Sequence, residues 1–301
     1  MKRRSIFTLL LSFLLLVAFP LSASAGKPIT PPTPLEYVGI GDSIGYGMSA
    51  TPGNDYYTKF SGYLASRALA QNKPFVSFNT ASPGLTSSQL DDEVAGRTTT
   101  TLTHAKLPGA NVVTISIGGN NLMHPLLDYV AALYGVSTDD PNFMNVMAAA
   151  VNANPGVLSN AMLWQILLPG TELKNAFAAG VADFKADLPT LISGIKALAP
   201  LTKIYFLSVN NPLYGNDQFR SFLDGYIVQI NNELKARASA YGYTVVDVYT
   251  AFNANTGSQP LVGFDMSANP ATYDPHPTDA GHKLIYDLLV AAYAQPVKGR
   301  K

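Results

Sequence analysis

The sequence predicts an α/β protein: a three-layer α/β/α sandwich in which helices cover both faces of a central parallel sheet. Residues 110–118 and 203–209 are short, apolar and rich in β-branched side chains, which is typical of strands buried on both faces. Segments with helical spacing alternate with strands along the chain, as a parallel sheet requires. Polar, glycine-containing loops directly follow several strands and are therefore expected to meet at the carboxyl edge of the sheet.

In the amino-terminal half, residues 35–40 and 75–79 are short apolar runs that indicate the first two strands. The helix predicted between them, over residues 55–70, has apolar side chains near helical spacing at Tyr57, Phe60, Leu64, Ala68 and Leu69. Residues 80–84 have strong turn chemistry, and residues 86–94 are predicted to form a short helix with a polar face.

The carboxyl-terminal half begins with a long helical segment, residues 122–199, with breaks predicted near residues 137–141, 154–156 and 169–170. The strand at residues 203–209 follows, then a helix over 218–241 and a last strand over 243–249. Residues 252–277 are predicted to be rich in loops, and residues 278–294 to form the final helix.

Residues 1–25 have the organisation of a secretory signal. Lys2, Arg3 and Arg4 precede an apolar run, residues 6–18, that is short for a membrane span, and Ala23 and Ala25 fit the small-residue cleavage pattern. We expect cleavage after Ala25 and secretion, with an uncleaved anchor as the alternative. The remainder is expected to be a proline-rich lead-in, residues 26–34, and one domain, residues 35–297.

Charge and cysteine content bear on the possible partners of the protein and on how it is stabilised. The 301-residue chain has 20 basic and 20 acidic residues and no cysteine. Without the three bases of the signal the balance is slightly acidic, which gives no indication of nucleic-acid binding. An exported domain without disulfides must be stabilised by packing. No second long apolar segment follows the signal, so we expect a soluble mature protein whose oligomeric state the sequence leaves open.

Ser43 is the candidate nucleophile. It lies in Gly41-Asp42-Ser43-Ile44-Gly45, directly after the first strand, where flanking glycines permit the sharp backbone that exposes a hydroxyl. The letters also satisfy G-x-S-x-G, but the nucleophile of α/β-hydrolases follows several strands and here only one precedes. The alternative is a turn serine that caps a helix.

His276 is the candidate base. Prolines on both sides stiffen its backbone, and the carboxylate of Asp274 is two positions away. A held imidazole with a nearby acid is what acyl transfer requires, and the alternative is an exposed histidine without a role. His282 is expected to pack or cap early in the last helix, and His104 and His124 have no companion pattern. Because the histidines form no tight set with carboxylates, we predict neither a metal site nor a cofactor.

Three groups are candidate donors to the oxyanion of acyl transfer: the backbone N–H of Ser43, the backbone N–H of Gly84 and the side-chain amide of Asn120. Glycine at position 84 lets the backbone approach a substrate closely, and Asn120 lies on a Gly-Gly loop after the strand at 110–118. The alternatives are that Gly84 is a turn glycine and Asn120 a helix N-cap.

In four blocks the chain resembles the SGNH (GDSL-type) hydrolase superfamily, which includes secreted bacterial lipases and esterases. The blocks are Gly41-Asp42-Ser43, Asn79-x-Ala81-x-x-Gly84, Gly118-x-Asn120 and His276-Pro277. The resemblance implies a flavodoxin-like α/β/α fold, with Ser43 as nucleophile, Gly84 and Asn120 as oxyanion donors, and His276 as base.

Two positions depart from the pattern of that superfamily. Position 121, usually Asp, is Asn, and we expect Asn121 still to fix its loop by hydrogen bonds. The triad acid usually lies three residues before the histidine, where this chain has Tyr273. We expect Asp274 to serve instead, with a backbone carbonyl as the alternative partner of His276.

The long apolar helical segment after Asn120, residues 122–188, is a candidate insertion that caps the cleft and holds an acyl chain, or else extra core. We expect a small-molecule or lipid ester substrate with a medium or long acyl chain, such as a glyceride or lysophospholipid, with at most transient contact with lipid surfaces. The alternatives are a carbohydrate or peptidoglycan O-acetyl esterase, and a non-catalytic wall-binding protein on the same fold.

Overall fold

The computed structural model describes residues 33–98, 102–213, 217–255, 260–265 and 272–295. The predicted signal, most of the predicted lead-in and the last two residues of the predicted domain lie outside these ranges. Among the residues that the structure describes, no helix is both long enough and apolar enough to cross a membrane.

The central sheet has five parallel strands in the order β2-β1-β3-β4-β5. This order is that of the flavodoxin-like doubly wound fold, whose ligand site lies where the winding direction changes, between β1 and β3. All residues of β3 are buried, as expected for a central strand. The predicted α/β/α fold is therefore confirmed. The strands are β1 Leu35–Gly41, β2 Phe75–Asn79, β3 Val112–Ser116, β4 Lys203–Leu207 and β5 Thr244–Val246.

Eleven α-helices and a short 3₁₀ turn, Leu107–Gly109, accompany these strands in the described part of the chain. Thr86 caps α3 with both hydrogen bonds of a capping box, and Thr278 caps α11. The helices are α1 Ser43–Tyr46, α2 Tyr56–Leu69, α3 Ser87–Val94, α4 Thr103–Lys106, α5 Asn120–Tyr134, α6 Phe143–Ala153, α7 Pro155–Leu167, α8 Glu172–Leu198, α9 Asp217–Tyr241, α10 Val248–Asn253 and α11 Asp279–Ala294.

Alternate residues of each strand enter different cores, one on each face of the sheet. Val38 and Val113 belong to the core formed with α3, α8 and α9, whereas Tyr37 and Val112 belong to the core formed with α2 and α11. Side chains of a strand point to opposite faces in turn, so both sets can be buried only when helices cover both sides.

Two features of the carboxyl-terminal region differ from the prediction. The strand predicted at 243–249 ends at Val246, because the side chain of Asp247 accepts a hydrogen bond from the backbone of Thr250 and starts α10. Within the stretch predicted to be rich in loops, residues 252–277, the structure has an antiparallel hairpin that was not predicted, formed by β6, Val262–Asp265, and β7, Thr272–Pro277. Proline lacks the N–H of a strand ladder, so Pro275 and Pro277 gave no signal for the strand that this segment forms.

The predicted helical breaks fall where the structure has them, between α5 and α6, at Asn154, and between α7 and α8. The expected end of the insertion, at residue 188, instead lies in the middle of α8. This helix is continuous and buries Phe177, Phe184 and Ile192 against the sheet core. Helices α6 and α7 pack mainly against α5, α8 and α9, so they form a layer outside the sandwich.

Candidate active site

Ser43 begins α1 immediately after β1, at the carboxyl edge of the sheet. Gly41 makes this connection possible, since its φ is +123° and a Cβ there would lie 1.9 Å from the carbonyl oxygen of Ser116. The side chain of Asp42 caps α1 by accepting a hydrogen bond from Ile44 N at 3.1 Å. The strand end and the cap therefore hold Ser43, which is 8% exposed, in a defined position.

His276 reaches Ser43 from β7, as expected from the sequence. Its Nε2 lies 2.9 Å from Ser43 Oγ, and its Nδ1 lies 2.6 Å from Asp274 Oδ1. A carboxylate only accepts hydrogen bonds, so Nδ1 carries the proton and Nε2 is free to accept the proton of the serine hydroxyl. The structure thus assembles a Ser–His–Asp arrangement from residues that are 233 positions apart in the chain.

Asp274, and not Tyr273, is the acid beside His276. Asp274 Oδ1 also accepts the backbone N–H of His276 at 3.1 Å, and the hydroxyl of Ser49 donates to Oδ2 at 2.5 Å. Partial burial raises the pKa of Asp274, but the hydrogen bonds from His276 and Ser49 outweigh it and hold that pKa below its ordinary value. The Tyr273 hydroxyl instead donates to Asn152 in α6 at 3.2 Å.

Gly84 and Asn120 line the same cavity as Ser43 and His276. Gly84 has a φ of +84°, a conformation that L side chains rarely adopt, although a Cβ there would have room. The side-chain amide of Asn120 donates one N–H to Leu85 O at 2.9 Å, which orients the group and leaves its second N–H available. Asn120 is the first residue of α5, and Gly119 occupies the N-cap position.

The loops that carry these donors are anchored by two asparagines. Asn121 accepts Ser87 N at 3.0 Å and donates to Ser87 Oγ at 2.7 Å, and it is buried. Asn79 donates to Gly45 O at 3.0 Å and accepts Ala81 N at 3.1 Å. The expectation that Asn121 fixes its loop is confirmed.

A buried carboxylate lies directly behind the nucleophile. Asp42 is 3% exposed and accepts the hydroxyl of Ser116 at 2.8 Å. Burial raises the pKa of Asp42 to about 6, against the opposing effect of its hydrogen bonds with Ser116 and with the backbone of Ile44.

His282 makes its hydrogen bonds outside the Ser–His–Asp arrangement. His282 is fully buried, accepts the backbone N–H of Tyr56 and donates to Met48 O, at 3.4 and 3.2 Å. Burial lowers the pKa of His282. The ring packs as expected, and its bond from Tyr56 satisfies the N–H of the first residue of α2. Among the described residues, no group of three or more His, Asp or Glu side chains is arranged to hold a metal ion.

Sequence reasoning missed Ser49 and the role of His282 in holding the loop before α2. Ser49 has a φ of +65°, which is uncommon for a residue other than glycine. Its contact with Asp274 spans 225 positions. No local pattern marks such a serine, because only the folded chain places it beside the acid.

The catalytic cavity has a volume of about 290 Å³ and a predominantly apolar lining. Met123 and Leu127 of α5 and Met144 of α6 form one side, and Leu223 and Ile227 of α9 form another. A serine, an imidazole and a carboxylate meeting beside candidate oxyanion donors, at the topological switch point of a doubly wound sheet, define an ester hydrolase of α/β/α architecture.

The chain belongs to the GDSL-like lipase/acylhydrolase family, whose model matches residues 40–284. It is therefore an ester hydrolase of the GDSL type, and the predicted superfamily and enzyme class are confirmed. A search of curated protein sequences finds no significant match.

Solved structures of low sequence identity share the fold. A lipase from a goat rumen metagenome is 17% identical with a TM-score of 0.56, and the match covers 86% of this chain and 97% of that one. An extracellular lipase from Streptomyces rimosus is 18% identical with a TM-score of 0.54, covering 86% and 99%. An acetylxylan esterase from Geobacillus stearothermophilus is 17% identical with a TM-score of 0.50, covering 89% and 99%.

Proposed function

We propose that the protein hydrolyses carboxylic esters through an acyl-enzyme on Ser43. The observation that carries this proposal is the 2.9 Å contact between Ser43 Oγ and His276 Nε2. His276 takes the hydroxyl proton while Ser43 Oγ attacks the carbonyl carbon, and Asp274 stabilises the imidazolium that forms. Collapse of the tetrahedral intermediate breaks the ester bond, and His276 returns the proton to the departing alkoxide.

Water then completes the reaction. His276 takes a proton from a water molecule that attacks the acyl carbon, and Ser43 leaves with that proton as the free acid forms. In both steps the negative oxygen is stabilised by the backbone N–H groups of Ser43 and Gly84 and by the second N–H of Asn120. The orientation of Asn120 by Leu85 O supports this role, because a preorganised donor needs no rearrangement in the transition state.

The proposed substrates are esters with a medium or long acyl chain. The apolar lining of the catalytic cavity supports this choice, because burial of each methylene group contributes about 0.8 kcal/mol. An O-acetyl esterase of carbohydrates needs polar groups that bind sugar hydroxyls. A substrate profile that peaks at acetyl esters would favour that alternative.

We propose that the enzyme is secreted and makes transient contact with lipid surfaces. Residues 141–171 contain no charged side chain, and Trp164 and Leu167 of α7 are 60% and 64% exposed. Tryptophan at an exposed position is typical of contact with a membrane interface. The protein should float with phosphatidylcholine vesicles, and Trp164→Ala should lower the fraction that floats. A protein that never floats would contradict this contact.

A fluorophosphonate probe tests the acyl-enzyme directly. We expect stoichiometric labelling of the mature protein and none in Ser43→Ala, with ester hydrolysis lost in the same variant. Ser66→Ala is the control, because that serine lies on α2 and bonds only within its helix. Labelling that persists in Ser43→Ala would exclude Ser43 as the nucleophile, and absence of both labelling and hydrolysis would favour a non-catalytic binding protein.

A further inference from the structure

A second cavity, of about 310 Å³, lies inside the outer helical layer. Its walls come from α5, α6 and α7, with Phe219 of α9 and Phe264 of β6. The lining is apolar except at Ser159, Asn160, Gln218 and Tyr273. We refer to this cavity as the helical chamber.

The helical chamber adjoins the catalytic cavity. Met123, Leu127 and Met144 line both, so these three side chains form the common wall. Two of the three are methionines, and four of the seven methionines of the chain line the helical chamber. Unbranched thioether side chains change rotamer at low cost and fit differing apolar ligands. An apolar acyl chain can therefore displace the side chains that separate the two cavities.

The direction of the ester in the catalytic site decides which end of the substrate faces this wall. The leaving alcohol must lie near His276, which protonates it, while the carbonyl oxygen faces Asn120. The acyl chain therefore extends away from His276 and along α5. Met123 lies three residues after Asn120 on that helix, and Leu127 lies one turn further.

We propose that the helical chamber is the binding site for the distal part of the substrate's acyl chain. The chain passes between Met123, Leu127 and Met144 and ends among Val130, Met147 and Val151. The proposal rests on the acyl-enzyme mechanism proposed above, and it adds that the outer helical layer selects esters by acyl length. Short acyl chains end in the catalytic cavity and gain nothing from the chamber.

Substitution at Val151 tests the proposal. Val151 is 2% exposed on α6 and lines the helical chamber, so Val151→Phe fills part of it. Val146→Phe is the matched control, since it adds the same side chain on the same helix at a position that is 40% exposed and lines neither cavity. The measurement is kcat/KM for p-nitrophenyl butyrate, octanoate and laurate.

We expect the wild type to prefer laurate to butyrate. Val151→Phe should lower the laurate-to-butyrate ratio of kcat/KM at least about tenfold, because each methylene excluded from an apolar site lowers kcat/KM roughly fourfold. Val146→Phe should leave the ratio unchanged. Ser159→Trp, at the exposed edge of the chamber, is a second blocking variant that disturbs the packing less. The proposal would be overturned if both blocking variants left the laurate-to-butyrate ratio unchanged. It would also be overturned if they changed kcat/KM for dodecyl acetate, whose long chain is in the alcohol, instead of kcat/KM for laurate esters.

A binding measurement separates this proposal from the proposed reaction. Ser43→Ala retains the chamber, so it should bind a fluorescent fatty acid that laurate displaces and butyrate does not. The double variant Ser43→Ala with Val151→Phe should bind it at least about tenfold more weakly. If laurate binds but the fluorophosphonate does not label the protein, the acyl-enzyme mechanism is rejected and the chamber proposal stands. If the protein is labelled but laurate does not bind, the chamber proposal is rejected and the mechanism stands.

Discussion

The hydroxyl of Ser49 donates a 2.5 Å hydrogen bond to Oδ2 of Asp274, whose Oδ1 faces His276. Each carboxylate oxygen thus has a separate partner, which sets the rotation of the group. Asp274 lies two residues before His276 on the same strand, so the two side chains share one face, and Ser49 fixes the second carboxylate oxygen. Ser49 holds a left-handed backbone at this contact.

Removing the Ser49 hydroxyl should slow turnover. We expect Ser49→Ala and Ser49→Gly to lower kcat about tenfold, since a hydrogen bond to a charged group is worth about 1.5–3 kcal/mol. The two variants should differ in stability, because glycine relieves the left-handed strain and should be about 1 kcal/mol more stable than alanine there. Esterase kinetics and urea unfolding measure both. A kcat that is retained in Ser49→Gly would show that the hydroxyl does not position Asp274.

Asp274→Asn should remove most of the rate. The amide can present its N–H to Nδ1 and force the wrong tautomer of His276, and comparable substitutions lower turnover by about four orders of magnitude. KM for a butyrate ester should change little. Near-normal turnover would show that another group, such as a backbone carbonyl, orients the imidazole.

Asn120 and its neighbour Asn121 should give opposite phenotypes. We expect Asn120→Ala to lower kcat about 10²- to 10³-fold with little loss of stability, as for removal of an oxyanion donor. Asn121→Ala leaves the buried N–H of Ser87 without its acceptor and should cost about 3 kcal/mol in the free energy of unfolding. Steady-state kinetics and thermal unfolding of both variants distinguish the roles. Equal losses of rate in the two would contradict the assignment.

Asp42 should make stability depend on pH. Its pKa is about 6 in the folded state against 3.8 ordinarily, so between these values the folded protein holds a proton that the unfolded chain has released. The free energy of unfolding should therefore fall as pH rises from about 4 to about 6, by up to roughly 3 kcal/mol from this group.

The comparison of wild type with Asp42→Asn isolates that effect. The variant cannot ionise, and its amide oxygen still accepts from Ile44 N, so its stability relative to wild type should increase over the same pH interval. Urea unfolding at pH 4, 5, 6 and 7 measures the difference. A difference that is constant with pH would show that Asp42 titrates at its ordinary value.

Local patterns in the chain were enough to predict the sheet and most of its helices. Buried parallel strands leave continuous apolar runs, as at β3 and β4, and helices leave periodic ones, as at α2. Both signals are contained in a few neighbouring residues. The features that were not predicted, the end of the strand at Val246 and the hairpin within 252–277, lie where short segments take their form from a side-chain cap at Asp247 or from pairing across a turn.

Ser43, Gly84 and Asn120 were predicted as site residues from the sequence because each lies in a loop with recognisable chemistry after a predicted strand. Asp274 and His276 were predicted from the proline-flanked histidine before the last helix. The distances between these residues could not be predicted from the sequence. The contact of Ser49 with Asp274, the burial of Asp42 and the chamber that α5, α6 and α7 enclose could not be predicted either. Each of these depends on groups far apart along the chain that approach only when both faces of the sheet are packed. A single sequence records the preferences of neighbouring residues, whereas burial and distant hydrogen bonds arise from the folded whole.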